Sequence, residues 1–153
     1  MSLIVETYIT TKDVSLDEIV GELKNKTSKF GGGAIVCFIG YVKEFVDGRE
    51  VYELEYSAYE PYATHKLEEI AREEGAKNNV LAVKIIHRVG RLKPGESTIY
   101  IIVASRSRRE AFETASRILE RVKHEVPIFK LEKRSDGEYW VIGDKRRVKR
   151  IRG

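Results

Sequence analysis

The sequence predicts one α+β domain with a mixed, mostly antiparallel sheet. Its 153 residues and 42% hydrophobic content suit a single domain with a substantial core. Apolar spacing along the chain predicts the order strand, helix, strand, strand, helix, strand, strand, helix, strand, strand. Turn signals at Asp47 and Gly48 and at residues 135–137 separate neighbouring strands, which favours hairpins. We expect the domain to span residues 1–144 and a basic C-terminal tail to follow over residues 145–153.

The first elements are an edge strand and a short helix. Residues 3–10 alternate loosely and predict the strand. Ser15 followed by Glu18 forms a capping box, so the apolar spacing after it predicts a helix that ends before Lys24. The three glycines at residues 31–33 fit either a phosphate loop or a flexible turn. Because neither GxGxxG nor GK[ST] is present, the turn is the better interpretation.

The middle of the chain is rich in strands. Residues 34–42, nearly all apolar, predict a buried central strand with Cys37 in the core. Residues 51–59 alternate and are expected to pair with that strand as a hairpin, with Lys43 at its open end. Pro61 marks the start of a second helix that continues until Gly75.

Two further strands follow this helix. Residues 80–87 predict one strand and residues 97–104 predict a central strand, with a Gly- and Pro-rich loop between them. His87 and Arg88 are expected to be a strand-end pair without catalytic duty.

The third helix is predicted to start near Arg108, because Ser107 and Glu110 form a second capping box. Its apolar stripe consists of Ala111, Phe112, Ala115, Ile118, Leu119 and Val122. Lys123 lies on the flank of that stripe, and the strand after Pro127 returns Lys130 toward the helix end. The two amines are candidates for one shared pocket, although two solvated surface lysines are the commoner case on spacing alone.

The positive charge is local. The net charge is +4, yet the predicted tail holds six basic residues and no acid, so the remainder has 22 basic and 24 acidic residues. The tail and the arginines of residues 106–109 allow a non-enzymatic nucleic-acid or anion binder as an alternative. No RNP, KH or helix-turn-helix pattern supports nucleic acid as the partner.

Several classes of protein do not fit the sequence. No apolar run approaches the roughly 20 residues needed to span a bilayer, and the N-terminus lacks the features of a secretory signal. We therefore expect a cytoplasmic protein. One cysteine cannot form an internal disulfide, and three scattered histidines lack zinc-ligand spacing, so neither metal nor cofactor is expected. The 34% charged residues and the absence of Gln fit a thermophile.

Five segments carry a family resemblance. They are GGGAIVCFIGYVK, ELEYSAYEPYATHKLEEIA, IIHRVGRLKPGE, SRREAFE and LERVKHEVPIFKLE, in that order, and the resemblance covers about residues 34–141. In sequence and spacing they resemble the large, catalytic subunit of molybdopterin synthase. Agreement of several separate segments is more specific than one motif.

The resemblance implies a fold, an activity and partners. The implied fold is an α/β hammerhead with an added antiparallel β part. The implied activity is that of a sulfurtransferase of molybdenum cofactor biosynthesis, which converts cyclic pyranopterin monophosphate to the molybdopterin dithiolene. The sulfur would come from the C-terminal Gly-Gly thiocarboxylate of a small ubiquitin-like carrier subunit. A homodimer of large subunits would bind two carriers as a heterotetramer.

The resemblance also implies site residues. Lys123 and Lys130 match the catalytic lysines, and the substrate-binding positions are Tyr41, Val42, Lys43, Ser107, Arg108, Leu131 and Glu132. Two positions depart from the family pattern. Lys43 stands where arginine is usual and lacks the planar fork that grips phosphate by two bonds. Ser107 replaces a histidine, which leaves open a degenerate large subunit that binds its partner without catalysis.

Overall fold

The computed structural model describes residues 1–77, 79–143 and 145–151, and these form three α-helices, one short 3-10 helix and ten strands. The helices are α1 Leu16–Thr27, α2 Tyr62–Gly75 and α3 Arg108–Glu125, and the 3-10 helix is Ser28–Phe30. The strands are β1 Ile4–Thr10, β2 Ala34–Tyr41, β3 Phe45–Val46, β4 Arg49–Ala58, β5 Val80–Arg88, β6 Gly90–Leu92, β7 Ser97–Ser105, β8 Ile128–Arg134, β9 Gly137–Ile142 and β10 Arg146–Lys149.

A four-stranded sheet with helices on both faces forms the larger part of the core. Its order is β1-β5-β7-β2, and only the β1 and β5 pair is parallel. Because successive side chains of a strand face opposite sides, Val83 and Ile85 pack with α2 and α3, whereas Ala82 and Ile86 pack with α1. Strands β5 and β7 are therefore buried on both faces.

The second sheet is entirely antiparallel and is the added β part that the resemblance implies. Its strands run in the order β10-β9-β8-β4-β3, and β6 also pairs with β4. Val42, Val51, Leu54 and Leu92 are among the buried residues of its small core. The predicted class, a single α+β domain with a mostly antiparallel mixed sheet, is confirmed.

Local signals located the first two helices well. The Ser15 hydroxyl accepts a hydrogen bond from the backbone N–H of Glu18 at 3.4 Å, as the capping box predicts. Helix α2 begins directly after Pro61. Helix α1 continues through its lysines to Thr27, because exposed lysines are good helix formers and do not end a helix.

The prediction for residues 34–42 is wrong in position. Strand β2 is the last strand of its sheet, and Cys37 is exposed rather than part of the core. The turn at Asp47 and Gly48 joins β3 to β4 rather than β2 to β4. Strands β2 and β4 belong to different sheets and form no hairpin. Both turn residues have positive φ, 51° and 74°, which suits the primed turn of a tight hairpin.

The start of α3 is predicted correctly, but two of its details differ. The Ser107 hydroxyl donates to the Glu110 carboxylate instead of accepting from a backbone N–H, so the second capping box does not form. Phe112, predicted in the apolar stripe, is 63% exposed. It lies about 90° around the helix from the centre of the buried stripe, too far to reach the sheet.

The predicted basic tail contains a strand. Arg147 and Val148 of β10 pair with Val141 and Trp140 of β9. Asp144, at the predicted domain boundary, and Arg152 and Gly153, at the end of the predicted tail, lie outside the described residues.

Candidate active site

A pocket of about 470 Å³ lies where the two sheets meet the C-terminal end of α3. Its lining includes five basic side chains that come from four separate segments of the chain: Lys43, Lys123, Lys130, Lys145 and Arg147. Apolar walls from both sheets surround them. The structure therefore joins the two predicted lysines and Lys43 in one cavity and adds Lys145 and Arg147, which were predicted only as part of the basic tail.

A β-bulge directs the end of β2 toward this pocket. The register with β7 shifts between Gly40, opposite Ile99, and Tyr41. A Cβ atom on Gly40 would lie 2.9 Å from Ile99 Cγ2, so this close approach requires glycine. Tyr41 and Lys43 line the pocket, whereas Val42 between them is buried in the core. Val42, predicted to bind substrate, therefore does not line the pocket, because alternate residues face opposite sides.

Helix α3 delivers Lys123 in its last turn. Val122 and Leu119 line the same pocket and form an apolar wall beside Lys123. The Lys123 side chain is exposed, so its amine lies at the solvent side of the pocket. Val126 is the C-cap in an extended conformation, and Pro127 then leads into β8. This abrupt end to the helix places Lys123 and Lys130 in one pocket although they lie on different elements.

Lys130 is half-buried in β8, opposite Tyr56 of β4. Its Nζ lies 5.9 Å from the centroid of the Tyr56 ring. Burial lowers the pKa of Lys130, and the charges of Arg147, Lys123 and Lys43 lower it further, while Glu132 opposes them. Strand alternation turns the next residue, Leu131, away from the pocket into a buried position. Leu131 is thus a second predicted substrate contact that does not line the cavity.

Glu132 holds Arg147 in place. The carboxylate is 2% exposed and accepts two hydrogen bonds from Arg147, 2.8 Å from Nε and 3.1 Å from Nη2. Arg147 was not predicted as a site residue, because its place in a run of basic residues favours a solvated tail. A signal was present, since a glutamate within a half-buried strand requires a cation partner from elsewhere in the chain.

Ser107 and Arg108 do not reach this pocket within one chain. They stand at the N-terminal end of α3, and the 15 residues from Arg108 to Lys123 span about 22 Å along the helix. Arg108 is exposed there. Within a single copy of the chain, Arg108 therefore does not join the two lysines.

The pocket is suited to anions. Ammonium and guanidinium groups donate hydrogen bonds and accept none, so phosphate, carboxylate or thiocarboxylate groups match them. Within residues 1–77, 79–143 and 145–151 we find no group of three or more His, Cys, Asp or Glu side chains that could hold a metal ion. Over the same ranges, none of the helices has the length and apolar character needed to cross a bilayer.

Known proteins match both the sequence and the fold. Residues 9–125 match the family model described as MoaE protein. The molybdopterin synthase catalytic subunit of Pyrococcus abyssi is 35% identical over 134 residues, 88% of each chain. That of Bacillus subtilis is 40% identical over 136 residues, 89% of this chain and 83% of the relative.

Solved structures agree with these matches. The crystal structure of molybdopterin synthase from Staphylococcus aureus has a TM-score of 0.76 at 32% identity, over 87% of this chain and 94% of that chain. A subunit 1 and 2 complex of molybdopterin-converting factor from Helicobacter pylori, 19% identical with a TM-score of 0.69, shares the fold. The chain therefore belongs to the MoaE family, the large, catalytic subunits of molybdopterin synthase in molybdenum cofactor biosynthesis.

Proposed function

We propose that this protein transfers sulfur from the C-terminal thiocarboxylate of a small ubiquitin-like carrier subunit to cyclic pyranopterin monophosphate, forming the molybdopterin dithiolene. The observation that carries the proposal is the convergence of five basic side chains in one pocket: Lys43, Lys123, Lys130, Lys145 and Arg147. Both reactants are anionic, so each needs cationic partners at the place where they meet. A Gly-Gly tail is narrow enough to enter such a cavity.

Each sulfur transfer has two stages. The thiocarboxylate sulfur forms a bond to a substrate carbon while a C–O bond of that carbon breaks, which gives a thioester between carrier and substrate. The displaced oxygen stays on the phosphate as the cyclic ester opens, or leaves as water after it takes up protons. Attack of water on the acyl carbon then breaks the acyl C–S bond, so the carrier leaves as a carboxylate and the sulfur stays on the substrate. Negative charge grows on the acyl oxygen during this attack, and fixed cations around it stabilise the transition state.

We assign the proton transfers to Lys123 and Lys130. The lowered pKa of Lys130 increases the fraction of neutral amine, which is the form that can accept a proton. Lys123 stands at the exposed side of the pocket, where the carrier tail would enter, and acts there as base or as nucleophile. Lys43, with Tyr41 beside it, and Arg147 hold the phosphate and the ring.

A second copy of the chain completes the site in this proposal. Ser107 and Arg108 lie too far from Lys123 to serve the same pocket, yet the exposed Arg108 is available to a neighbouring copy. A homodimer in which Arg108 of one copy approaches the pocket of the other would add a sixth cation. Two carriers bound to that dimer give a heterotetramer.

The nucleic-acid alternative is weakened by ion pairs. Directly after β10, Arg150 binds Glu138. At the start of α3, Arg109 pairs with Glu113. Charges already neutralised within the domain contribute less to phosphate binding.

Reconstitution tests the proposal. The purified chain is mixed with thiocarboxylated carrier and cyclic pyranopterin monophosphate, and dithiolene is measured, with unmodified carrier as the control. We expect dithiolene only with the thiocarboxylate. A stable carrier complex without dithiolene indicates the degenerate subunit, and salt-sensitive nucleic-acid binding without carrier binding indicates the rival function.

A further inference from the structure

His87 is a buried imidazole in the wall of the pocket. It lies near the end of β5, is 7% exposed and lines the same cavity as Lys123 and Lys130. Alternation along β5 places its side chain on the face of Val83 and Ile85, the side on which α3 packs. The Tyr56 ring meets the imidazole edge to face, with 5.2 Å between the ring centroids. The proposed chemistry gives this side chain no role.

One hydrogen bond selects the tautomer of His87. Its Nδ1 lies 2.7 Å from the backbone carbonyl oxygen of Arg88. A carbonyl oxygen only accepts, so Nδ1 carries the proton and Nε2, at the far end of the ring, carries a lone pair. Arg88 is itself fixed, because its guanidinium donates to the carbonyls of Ser97 and Thr11 at 3.0 and 3.2 Å.

The ring stays neutral in this setting. Burial lowers the pKa of His87 to about 4, the nearby charge of Lys130 acts in the same direction, and the Arg88 carbonyl opposes both. Tyr56 of β4, whose ring contacts His87, also remains neutral, because burial raises its pKa to about 12. At neutral pH, Nε2 is therefore an acceptor.

Acceptors are scarce among the other charged groups of this pocket. Lys43, Lys123, Lys130, Lys145 and Arg147 only donate. The Glu132 carboxylate uses both oxygens for Arg147. Such a set can hold a phosphate, but a ring that carries N–H and amino groups needs acceptors to fix its orientation.

We propose that Nε2 of His87 accepts a hydrogen bond from an N–H group of the pterin ring and so orients the substrate for sulfur addition. The inference rests on the proposed function and adds to it a residue that distinguishes the ring from a simple phosphate ester. A site that hydrogen-bonds a ligand N–H rejects analogues that lack it, because its buried acceptor is then left without a partner.

Two substitutions distinguish the roles of the two ring nitrogens of His87. In His87→Asn the amide N–H replaces Nδ1 and can still bind the Arg88 carbonyl, but the acceptor at Nε2 is lost. In His87→Gln the amide oxygen reaches the position of Nε2. We expect the Asn variant to raise the KM for cyclic pyranopterin monophosphate about tenfold, and the Gln variant to recover to within about threefold of wild type.

Binding measurements provide the control. For a pterin that bears a phosphate ester, the Asn variant should lose affinity about tenfold, while its affinity for phenyl phosphate stays within about twofold. Equal losses for both ligands, or a wild-type KM in the Asn variant, would overturn the proposal. A wild-type chain that makes no dithiolene would overturn the proposed function instead, so the two failures are distinguishable.

A measurement on the unmodified protein covers the case of poorly folded variants. In 15N spectra of the wild-type imidazole groups, His87 should show its unprotonated nitrogen at Nε2, and that resonance should shift on addition of the pterin phosphate but not of inorganic phosphate. A proton on Nε2, or no response to the pterin, would refute the inference.

Discussion

Arg147 of β10 donates two hydrogen bonds to the buried carboxylate of Glu132 in β8, at 2.8 and 3.1 Å. The pair connects the end of the chain to the centre of the second sheet. It also sets the charge balance of the pocket, because Glu132 favours the protonated form of Lys130 whereas Arg147 disfavours it. Removal of either partner should therefore change both stability and the pocket.

Arg147→Met should destabilise the protein by about 3 kcal/mol, because the buried Glu132 carboxylate loses its partner. Urea unfolding measures the change. The matched control is Arg150→Met, whose more exposed bond to Glu138 should contribute less than about 1 kcal/mol. In the double variant with Glu132→Met, we expect a smaller loss than the sum of the two single losses. Strict additivity would show that the two side chains do not interact.

Lys130→Met should separate stability from activity. A half-buried charge with a lowered pKa is a cost to the folded state, so the variant should be unchanged or more stable by about 1 kcal/mol. Dithiolene formation should fall by about a hundredfold or more, since the proton carrier is lost. Thermal unfolding and turnover measured on one preparation test both parts. A less stable variant with normal turnover would contradict the assignment.

The pH dependence of stability should show a contribution from His87. Its pKa is about 4 in the folded protein and 6.5 when unperturbed, so between these values the unfolded chain binds a proton that the folded chain does not. Stability should therefore fall by up to about 3 kcal/mol as the pH drops from 6.5 to 4, with no His87 contribution to the slope above 6.5. His87→Gln should lose this part of the slope. An identical slope in both proteins would exclude a buried neutral imidazole.

Gly40→Ala should disturb the bulge that aims Lys43. The new Cβ would meet Ile99 Cγ2 at 2.9 Å, and overpacking of this kind costs about 2 kcal/mol. Gly21→Ala in α1 is the control, because nothing lies within 4 Å of its Cβ, and it should stabilise the helix by up to about 1 kcal/mol. Chemical denaturation compares the two. A neutral Gly40→Ala would show that the strand end can shift freely.

Much of the fold could be predicted from local sequence signals, because the residues that start a helix or set the periodicity of a strand lie within short stretches of the chain. Ser15 and Pro61 correctly predicted the starts of α1 and α2, and the predicted fold class is confirmed. The edge position of β1 and the central position of β7 were also predicted correctly, whereas the position of β2 was not. The sequence of an apolar strand such as β2 does not show whether the strand lies at the edge or at the centre of a sheet, because its partner strands lie far away in the sequence.

The candidate site, like the fold, could be predicted only in part from the sequence. The family resemblance pointed to Lys123, Lys130 and Lys43, which the structure brings together. The predicted helix already placed Arg108 and Lys123 at opposite ends of one element, so its length of about 1.5 Å per residue could have shown that Arg108 lies far from the lysines. Arg147 and His87 escaped detection for another reason. Each depends on a partner from a distant strand or on burial, which spacing along one segment does not reveal.

The most direct test of the account is Lys123→Ala in a single-turnover assay with thiocarboxylated carrier and cyclic pyranopterin monophosphate. Lys26→Ala, an exposed lysine of α1 outside the pocket, is the control and should behave as wild type. We expect Lys123→Ala to slow dithiolene formation by about a thousandfold, while carrier affinity stays within about threefold. Dithiolene formation at nearly the wild-type rate would contradict the claim that this pocket carries out the sulfur transfer.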